Sequence, residues 1–286
     1  MNPPVKKVGL VLKRQDPRVP GILADIVPWF HARGVELFVD RSSAEVYSCS
    51  CKVLAPEELA AAVEMVAVFG GDGTLLYAAR IVGGSGVPIL GINLGALGFL
   101  AEVKLEDMRP AFETVLSGDY HLEDRMMLDV DILRNLDKVG RYFALNDAVM
   151  NKGALARMIE LEVRVNSQVV TVTRADGLII STPTGSTAYS LSAGGPILYP
   201  SLEAFIITPI CPHTLTNRPV VVPDNAIVEV RLCHGYDVML TVDGHVGMRL
   251  QPGDALRICK AEPAIRLVQP AGSTFFKLLR EKLKWG

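Results

Sequence analysis

The chain has 286 residues, 49% of them hydrophobic, enough to bury one large core or two modest ones. Its formal net charge of -2 sets up no field suited to nucleic acid or anionic lipid, and despite a mean hydropathy of +0.29 no apolar run approaches the roughly 18 residues of a membrane span. The five cysteines (Cys49, Cys51, Cys211, Cys233 and Cys259) are odd in number and mostly scattered, so they read as free thiols acting as small apolar filler in a reducing, cytoplasmic compartment. The five histidines show no metal-binding spacing.

The first part alternates strand and helix patterns. Val8–Leu12 is too short for a signal peptide and predicts a buried strand. A helix is expected from about Pro20 to Arg33, stopped at Gly34 and bent or divided by Pro28. Val35–Val39 follows as a strand, and Glu57–Val63 as a helix with Pro56 at its start. Met65–Phe69 reads as a strand, Thr74–Val82 as a helix, Val87–Ile92 as a strand and Leu105–Leu116 as a helix closed by Gly118. Solid apolar strands alternating with helices predict a parallel sheet covered on both faces.

After about Tyr120 the pattern becomes β-rich. Leu128–Leu133, Ile159–Val165, Ala226–Leu232 and Tyr236–Val242 are short, and several alternate apolar with charged residues. Asn166-Ser167 and Pro252-Gly253 punctuate them as turns. The predicted organisation is an α/β domain over 1–120 and a β-rich, sandwich-like domain over 121–265. The tail 266–286 is expected to pack back on the first domain. Its helix is amphipathic, with Ser273 as N-cap and Phe275, Leu279 and Leu283 as the docking face.

Two segments carry the chemistry. Gly70-Gly-Asp-Gly-Thr74 lies where a buried strand meets a helix, the place where open α/β sheets bind ligands. Glycines Gly70, Gly71 and Gly73 let a phosphate approach helix N-terminal amides. Asp72 would there bind a metal, accept a proton from a hydroxyl, or merely cap the helix. There is no G-x-x-x-x-G-K-[ST] and no G-x-G-x-x-G, although Gly91-Ile-Asn-Leu-Gly-Ala-Leu-Gly98 also follows a strand and is suited to close backbone approach.

The second segment runs from Thr182 to Pro196. Its hydroxyls and glycines are poor core material and good partners for a polar ligand. Asn146-Asp147 interrupts a strand-like run, and Asp176 precedes Gly177-Leu-Ile-Ile; both offer groups for a ribose or an amino group.

In combination, Gly70-Gly-Asp-Gly-Thr74, Asn146-Asp147 and the stretch from Asp176 to Pro196 resemble the bacterial NAD kinases, as does the ending Leu279–Trp285. The resemblance covers almost the whole chain. It implies transfer of the γ-phosphate of ATP to the 2′-hydroxyl of the adenosine ribose of NAD⁺, with a divalent metal, Mg²⁺ for preference. Asp72 matches the family's proton acceptor, and Gly70, Gly71, Gly73 and Thr74 its phosphate-binding turn. Asp72, Gly73, Asn146, Asp147, Asp176 and Thr187-Ala188-Tyr189-Ser190-Leu191-Ser192 match NAD-contacting positions. Arg157, Arg174 and His245 fall where further contacts are common. Dimers or tetramers are implied, without nucleic-acid or membrane partners. Two positions depart from the pattern: Asp147 stands where Glu is usual, and His245 where Gln is frequent. The competing readings are a lipid or small-molecule kinase sharing the glycine-aspartate turn, a non-catalytic NAD(P) sensor, and a dehydrogenase disfavoured by its absent fingerprint.

Overall fold

The computed structural model describes residues 3–154, 157–214, 216–262, 264–269 and 274–285. They form two compact units, 1–124 with 263–286, and 125–262.

The first unit is built on strands β1 (Lys7–Leu12), β2 (Glu36–Asp40), β3 (Lys52–Leu54), β4 (Met65–Gly70), β5 (Ile89–Asn93), β6 (Val103–Lys104) and β7 (His121–Arg125). The late strand β20 (Ile265–Gln269) joins them in the order β3-β2-β1-β4-β5-β20-β7, with β6 beside β5. The pairs from β3 through β20 are parallel. The strands are buried almost throughout because helices cover them, which explains their solid apolar runs. The chain winds outward from β1 to β3 and then resumes at β4 on the other side. The order therefore reverses between β1 and β4, at whose carboxyl ends a ligand crevice is expected.

Helix α1 (Val19–His31) runs on through Pro28, so the proline does not divide it. Pro28 and Ala24, whose carbonyl loses its partner, both lie on the exposed face of the helix, where a lost backbone bond costs less than in the core. Helices α2 (Arg41–Ala44) and α3 (Pro56–Ala62) follow, then α4 (Asp72–Val82). The expected helix from Leu105 begins as a 3₁₀ turn (Leu105–Asp107) and becomes α5 (Met108–Leu116).

The second unit contains β8 (Leu128–Arg134), β9 (Asp137–Ala144), β10 (Asp147–Lys152), β11 (Ile159–Val165), β12 (Gln168–Ala175), β13 (Gly177–Ser181), β14 (Ala204–Ile210), β15 (Val220–Pro223), β16 (Val228–His234), β17 (Val238–Val242), β18 (Val246–Leu250) and β19 (Ala255–Lys260). They form two antiparallel six-stranded sheets, β15-β14-β13-β10-β17-β18 and β12-β11-β16-β19-β8-β9. Alternate residues from both sheets, such as Val130, Leu161, Val230, Ile180 and Leu240, share one core. Asn166 and Ser167 turn β11 into β12 with φ of 49° and 67°, the left-handed pair of a tight hairpin. Strands β10, β13 and β14 are buried on both faces, because the 3₁₀ turn Thr184–Thr187 and helix α6 (Tyr189–Ser192) lie near their second side, where Ala193 packs against Val149, Ile179 and Ile210.

The tail helix α7 (Phe275–Leu283) belongs to the first unit. Thr274 caps it through Lys277 N–H; Ser273 lies outside the described residues. Leu279 is buried as expected, but its partner is Leu278; Phe275 and Leu283 are only half-buried. Two of the five cysteines, Cys211 and Cys233, are exposed rather than buried filler.

Candidate functional site

In the first unit, β4 ends at Gly70 and α4 begins at Asp72, with Gly71 as the extended N-cap residue. Asp72 does not cap its own helix. Its carboxylate turns to the loop after β5 and accepts three backbone N–H bonds: Phe99 to Oδ2 (2.9 Å), Leu100 to Oδ1 (3.0 Å) and Ala101 to Oδ1 (3.1 Å). Gly98 lies so close that a Cβ there would sit 2.0 Å from Asp72 Oδ1. Close backbone approach is thus the reason for glycine at 98, but the group approached is Asp72 itself. Gly70 is constrained in the same way: a Cβ would meet Thr74 Oγ1 at 2.2 Å.

Asn93, the last residue of β5, organises this loop. Its side-chain amide donates to the carbonyls of Ala96 (2.9 Å) and Ala101 (3.1 Å), and its oxygen accepts from Gly95 N–H (2.6 Å). Asn93 was not singled out in the sequence; its signal was the Asn-x-Gly turn directly after a strand. The result is a half-buried carboxylate fixed at the positive end of an eleven-residue helix, on the carboxyl edge of a parallel sheet. A cavity of about 250 Å³ opens nearby, lined by Arg18, Asn93, Gly95 and Lys104. A larger one of about 380 Å³ lies beside α7, lined by Tyr120, Gln269, Lys277 and Glu281, and does not include Asp72.

In the second unit, Asn146 and Asp147 sit at the start of β10. Asp243, just beyond β17, binds the amides of three consecutive residues: Leu145 to Oδ2 (3.0 Å), Asn146 to Oδ1 (2.7 Å) and Asp147 to Oδ1 (3.2 Å). Asp243 was not singled out in the sequence either; an Asp-Gly turn is its only local sign. Thr182 holds the other side. Its hydroxyl donates to the Leu145 carbonyl (2.6 Å), and its N–H to that of Asn146 (2.9 Å). Gly185 is pressed on Asn146, where a Cβ would lie 2.1 Å from the backbone oxygen.

The hydroxyl-rich segment is therefore only in part what the sequence suggested. Thr182, Ser186 and Ser190 are buried, and their hydroxyls are spent internally: Thr182 on Leu145, Ser186 on the Pro183 carbonyl, Ser190 on Thr208. They brace the segment rather than face a ligand. Thr187, Ala188 and Leu191 are half-buried, and Tyr189 and Ser192 exposed. Thr184 Oγ1 is buried and has no hydrogen-bond partner among the described residues.

Asp147 pairs across β13 with Ser181, whereas Asp176 lies at the far end of β10, where its carbonyl accepts Lys152 N–H and its carboxylate meets Lys152 Nζ at 3.6 Å. Five strand steps separate Asp147 from Lys152, about 17 Å, so only an extended ligand reaches both ends. Arg174 is exposed on the edge strand β12 and pairs with Glu160 at 2.9 Å. Arg157 and His245 are exposed, His245 on the hairpin between β17 and β18. The burial that hides Asp147, aided by the charge of Asp243, pushes its carboxyl up to about 7.

The ATP-NAD kinase N-terminal domain profile matches residues 9–120, and the ATP-NAD kinase C-terminal domain profile residues 145–270. The chain belongs to the NAD kinase family. It is an enzyme, a phosphotransferase of that family. An NAD kinase from Geotalea daltonii is 50% identical over 283 residues, 99% of each chain, and one from Geobacter sulfurreducens is 48% identical over the same length and coverage. Among solved structures, yeast NADH kinase complexed with NADH superposes with a TM-score of 0.91 at 26% identity, covering 99% of this chain and 89% of that one. An NAD kinase from Archaeoglobus fulgidus in complex with ATP gives 0.77 at 25%, covering 98% and 100%.

Proposed function

We propose that the chain transfers the γ-phosphate of ATP to the 2′-hydroxyl of the adenosine ribose of NAD⁺, with Asp72 as the proton acceptor. The observation that carries this is the fixation of Asp72 by three amides at a helix N-terminus. Phosphoryl transfer passes through a loose transition state, so positioning and charge neutralisation supply most of the rate. A carboxylate whose orientation is set by the 99–101 amides can receive the hydroxyl proton as the new P–O bond forms, with no search over rotamers. The glycine amides of Gly71 and Gly73 and the dipole of α4 would meet phosphate oxygens.

Asn146, Asp147, the exposed part of 187–192 and Asp176 are assigned to NAD. The separation of Asp147 from Asp176 suits an extended dinucleotide better than a compact acceptor. Arg157, Arg174 and His245 stand free enough of the core to add contacts. The divalent cation implied by the family would be held by donor phosphates and water. No three His, Cys, Asp or Glu side chains gather among the described residues, and both Asp72 oxygens already accept amide bonds. When bound, it would neutralise triphosphate charge. We place the enzyme in the cytoplasm as a homodimer or homotetramer. No described helix is long and apolar enough to cross a membrane, and all five cysteines are free.

The test is NADP⁺ formation from NAD⁺, ATP and Mg²⁺, read with an NADP-specific dehydrogenase, for the wild type and Asp72→Asn. Turnover by the wild type with a loss of at least about 100-fold in the variant is expected. Normal turnover by Asp72→Asn would remove that residue from the mechanism, and NAD binding without turnover would favour a sensor.

A further inference from the structure

Asp147 and Asp243 are both 5% exposed, adjacent at the ends of β10 and β17, and treated very differently by their surroundings. Asp243 receives three backbone N–H donors on its two oxygens. Among the described residues no donor reaches the Asp147 carboxyl. Asp243 Oδ1 lies 3.2 Å from the Asp147 backbone N–H, so in this dry setting its negative charge, together with burial, favours a proton on the acid that has no donors. Amides favour the anion on Asp243; burial and that anion together disfavour it on Asp147.

The groups around Asp147 offer no compensating cation. Directly across on β13 stands Ser181, followed by Thr182. On the β17 side, Val242 pairs with Ala148, and Asp243 follows. His245 is exposed, two residues further on. Lys152, the cation of β10 itself, lies at the opposite end and pairs with Asp176. Among the described residues, Asp243 is the one charge that acts on Asp147. Ala148 and Met150 face the sandwich core and Val149 the other side. Strand alternation puts Asp147 on the side of Val149, toward the 182–196 segment and away from the core.

We propose that Asp147 meets its ligand as a neutral carboxylic acid, donating its O–H to an uncharged acceptor atom of the bound nucleoside, and that burial holds it in that form, reinforced by the ionised positioning residue Asp243. The inference rests on the dinucleotide reading only for the ligand's identity. It reverses the role a carboxylate would play, since an ionised Asp147 would accept from a ribose hydroxyl. It also gives the shorter side chain at 147 a reason: aspartic acid kept close to β10 stays within the dry environment that retains its proton.

The experiment uses the full chain, with the aspartate carboxyl carbons labelled for ¹³C NMR and Asp147 assigned by difference from Asp147→Asn. In the apo protein its midpoint is expected near 7, and lower in Asp243→Asn, where burial alone still holds it above the ordinary range. NAD⁺ affinity is then measured by calorimetry. In the wild type it should weaken about thirtyfold from pH 6 to pH 8.5, the change in protonated fraction for such a midpoint. Asp147→Asn, which keeps an N–H donor in place of the O–H, should bind with a flat pH profile, and Asp147→Ala weakly throughout. An apo midpoint near 4, or Asp147→Asn binding as poorly as Asp147→Ala at pH 6, would overturn the proposal. A midpoint near 7 with no NAD⁺ binding at any pH would instead refute the dinucleotide as the ligand. The apo midpoint is read on the wild type against Asp147→Asn alone, so it decides the protonation state even where Asp243→Asn fails to fold.

Discussion

Replacing Gly98 by alanine should disable Asp72 without touching it. The added Cβ would lie 2.0 Å from Oδ1, 2.8 Å from Cγ and 3.1 Å from Oδ2 of Asp72. Gly98 is not among the left-handed glycines, so the backbone accepts alanine without strain. The conflict is then relieved at the flexible end, by rotation of the Asp72 side chain away from the loop. Three charge-assisted bonds are given up, each worth about 1.5 kcal/mol. Their sum, about 5 kcal/mol, is an upper bound, because the carboxylate is half-buried and water replaces part of it. A stability loss of about 2 kcal/mol is expected in urea titrations. The loss in kcat should be about 100-fold or more, since the proton acceptor is no longer placed, while KM for NAD⁺ changes little. The double variant Gly98→Ala/Asp72→Asn should be no slower than Asp72→Asn alone, because both changes remove one function. Wild-type kcat in Gly98→Ala, or additive losses in the double variant, would show that the 99–101 clasp has no part in positioning Asp72.

Stability should depend on pH through Asp147. Its carboxyl is raised from the ordinary 3.8 to about 7 in the folded chain, so below pH 4 both states hold the proton and the group is neutral to stability. As pH climbs from about 4 to 7, the unfolded chain releases that proton and the folded chain keeps it, so stability falls, by up to about 4 kcal/mol. Asp147→Asn lacks this loss; parallel pH–stability curves for the two proteins would contradict the burial argument. Gly185→Ala puts a Cβ 2.1 Å from the Asn146 carbonyl oxygen, backbone against backbone, and should cost about 3 kcal/mol or more by thermal denaturation. Arg174→Ala removes only an exposed ion pair with Glu160 and should change stability by less than about 1 kcal/mol, so a rise in KM for NAD⁺ would report a ligand contact directly.

Much of the architecture was present in the order of residue types. Buried parallel strands need apolar residues on both faces, and Met65–Phe69 has them; half-exposed antiparallel strands alternate, as Ile159–Val165 does. The turn Asn166-Ser167 and the position of Asp72 between strand and helix are likewise local facts. What the sequence could not say is where a side chain goes after it leaves the backbone. A helix cap was one of three roles open to Asp72, yet its partners lie 27 to 29 residues later. The hydroxyls of Thr182, Ser186 and Ser190 read as ligand contacts, yet they close on the carbonyls of Leu145 and Pro183 and on Thr208. Pro28 reads as a bend or a division, yet the helix continues through it to His31. Most telling, Asp147 and Asp243 are 96 residues apart, and nothing local in the sequence joins the candidate ligand contact Asp147 to Asp243. Only the pairing of β10 with β17 buries them side by side, hands every amide to one of them, and leaves the other to keep a proton. Local pattern fixes which elements form, because it acts through neighbours in the chain. The chemistry of the site depends on desolvation and distance, and those are set by neighbours in space.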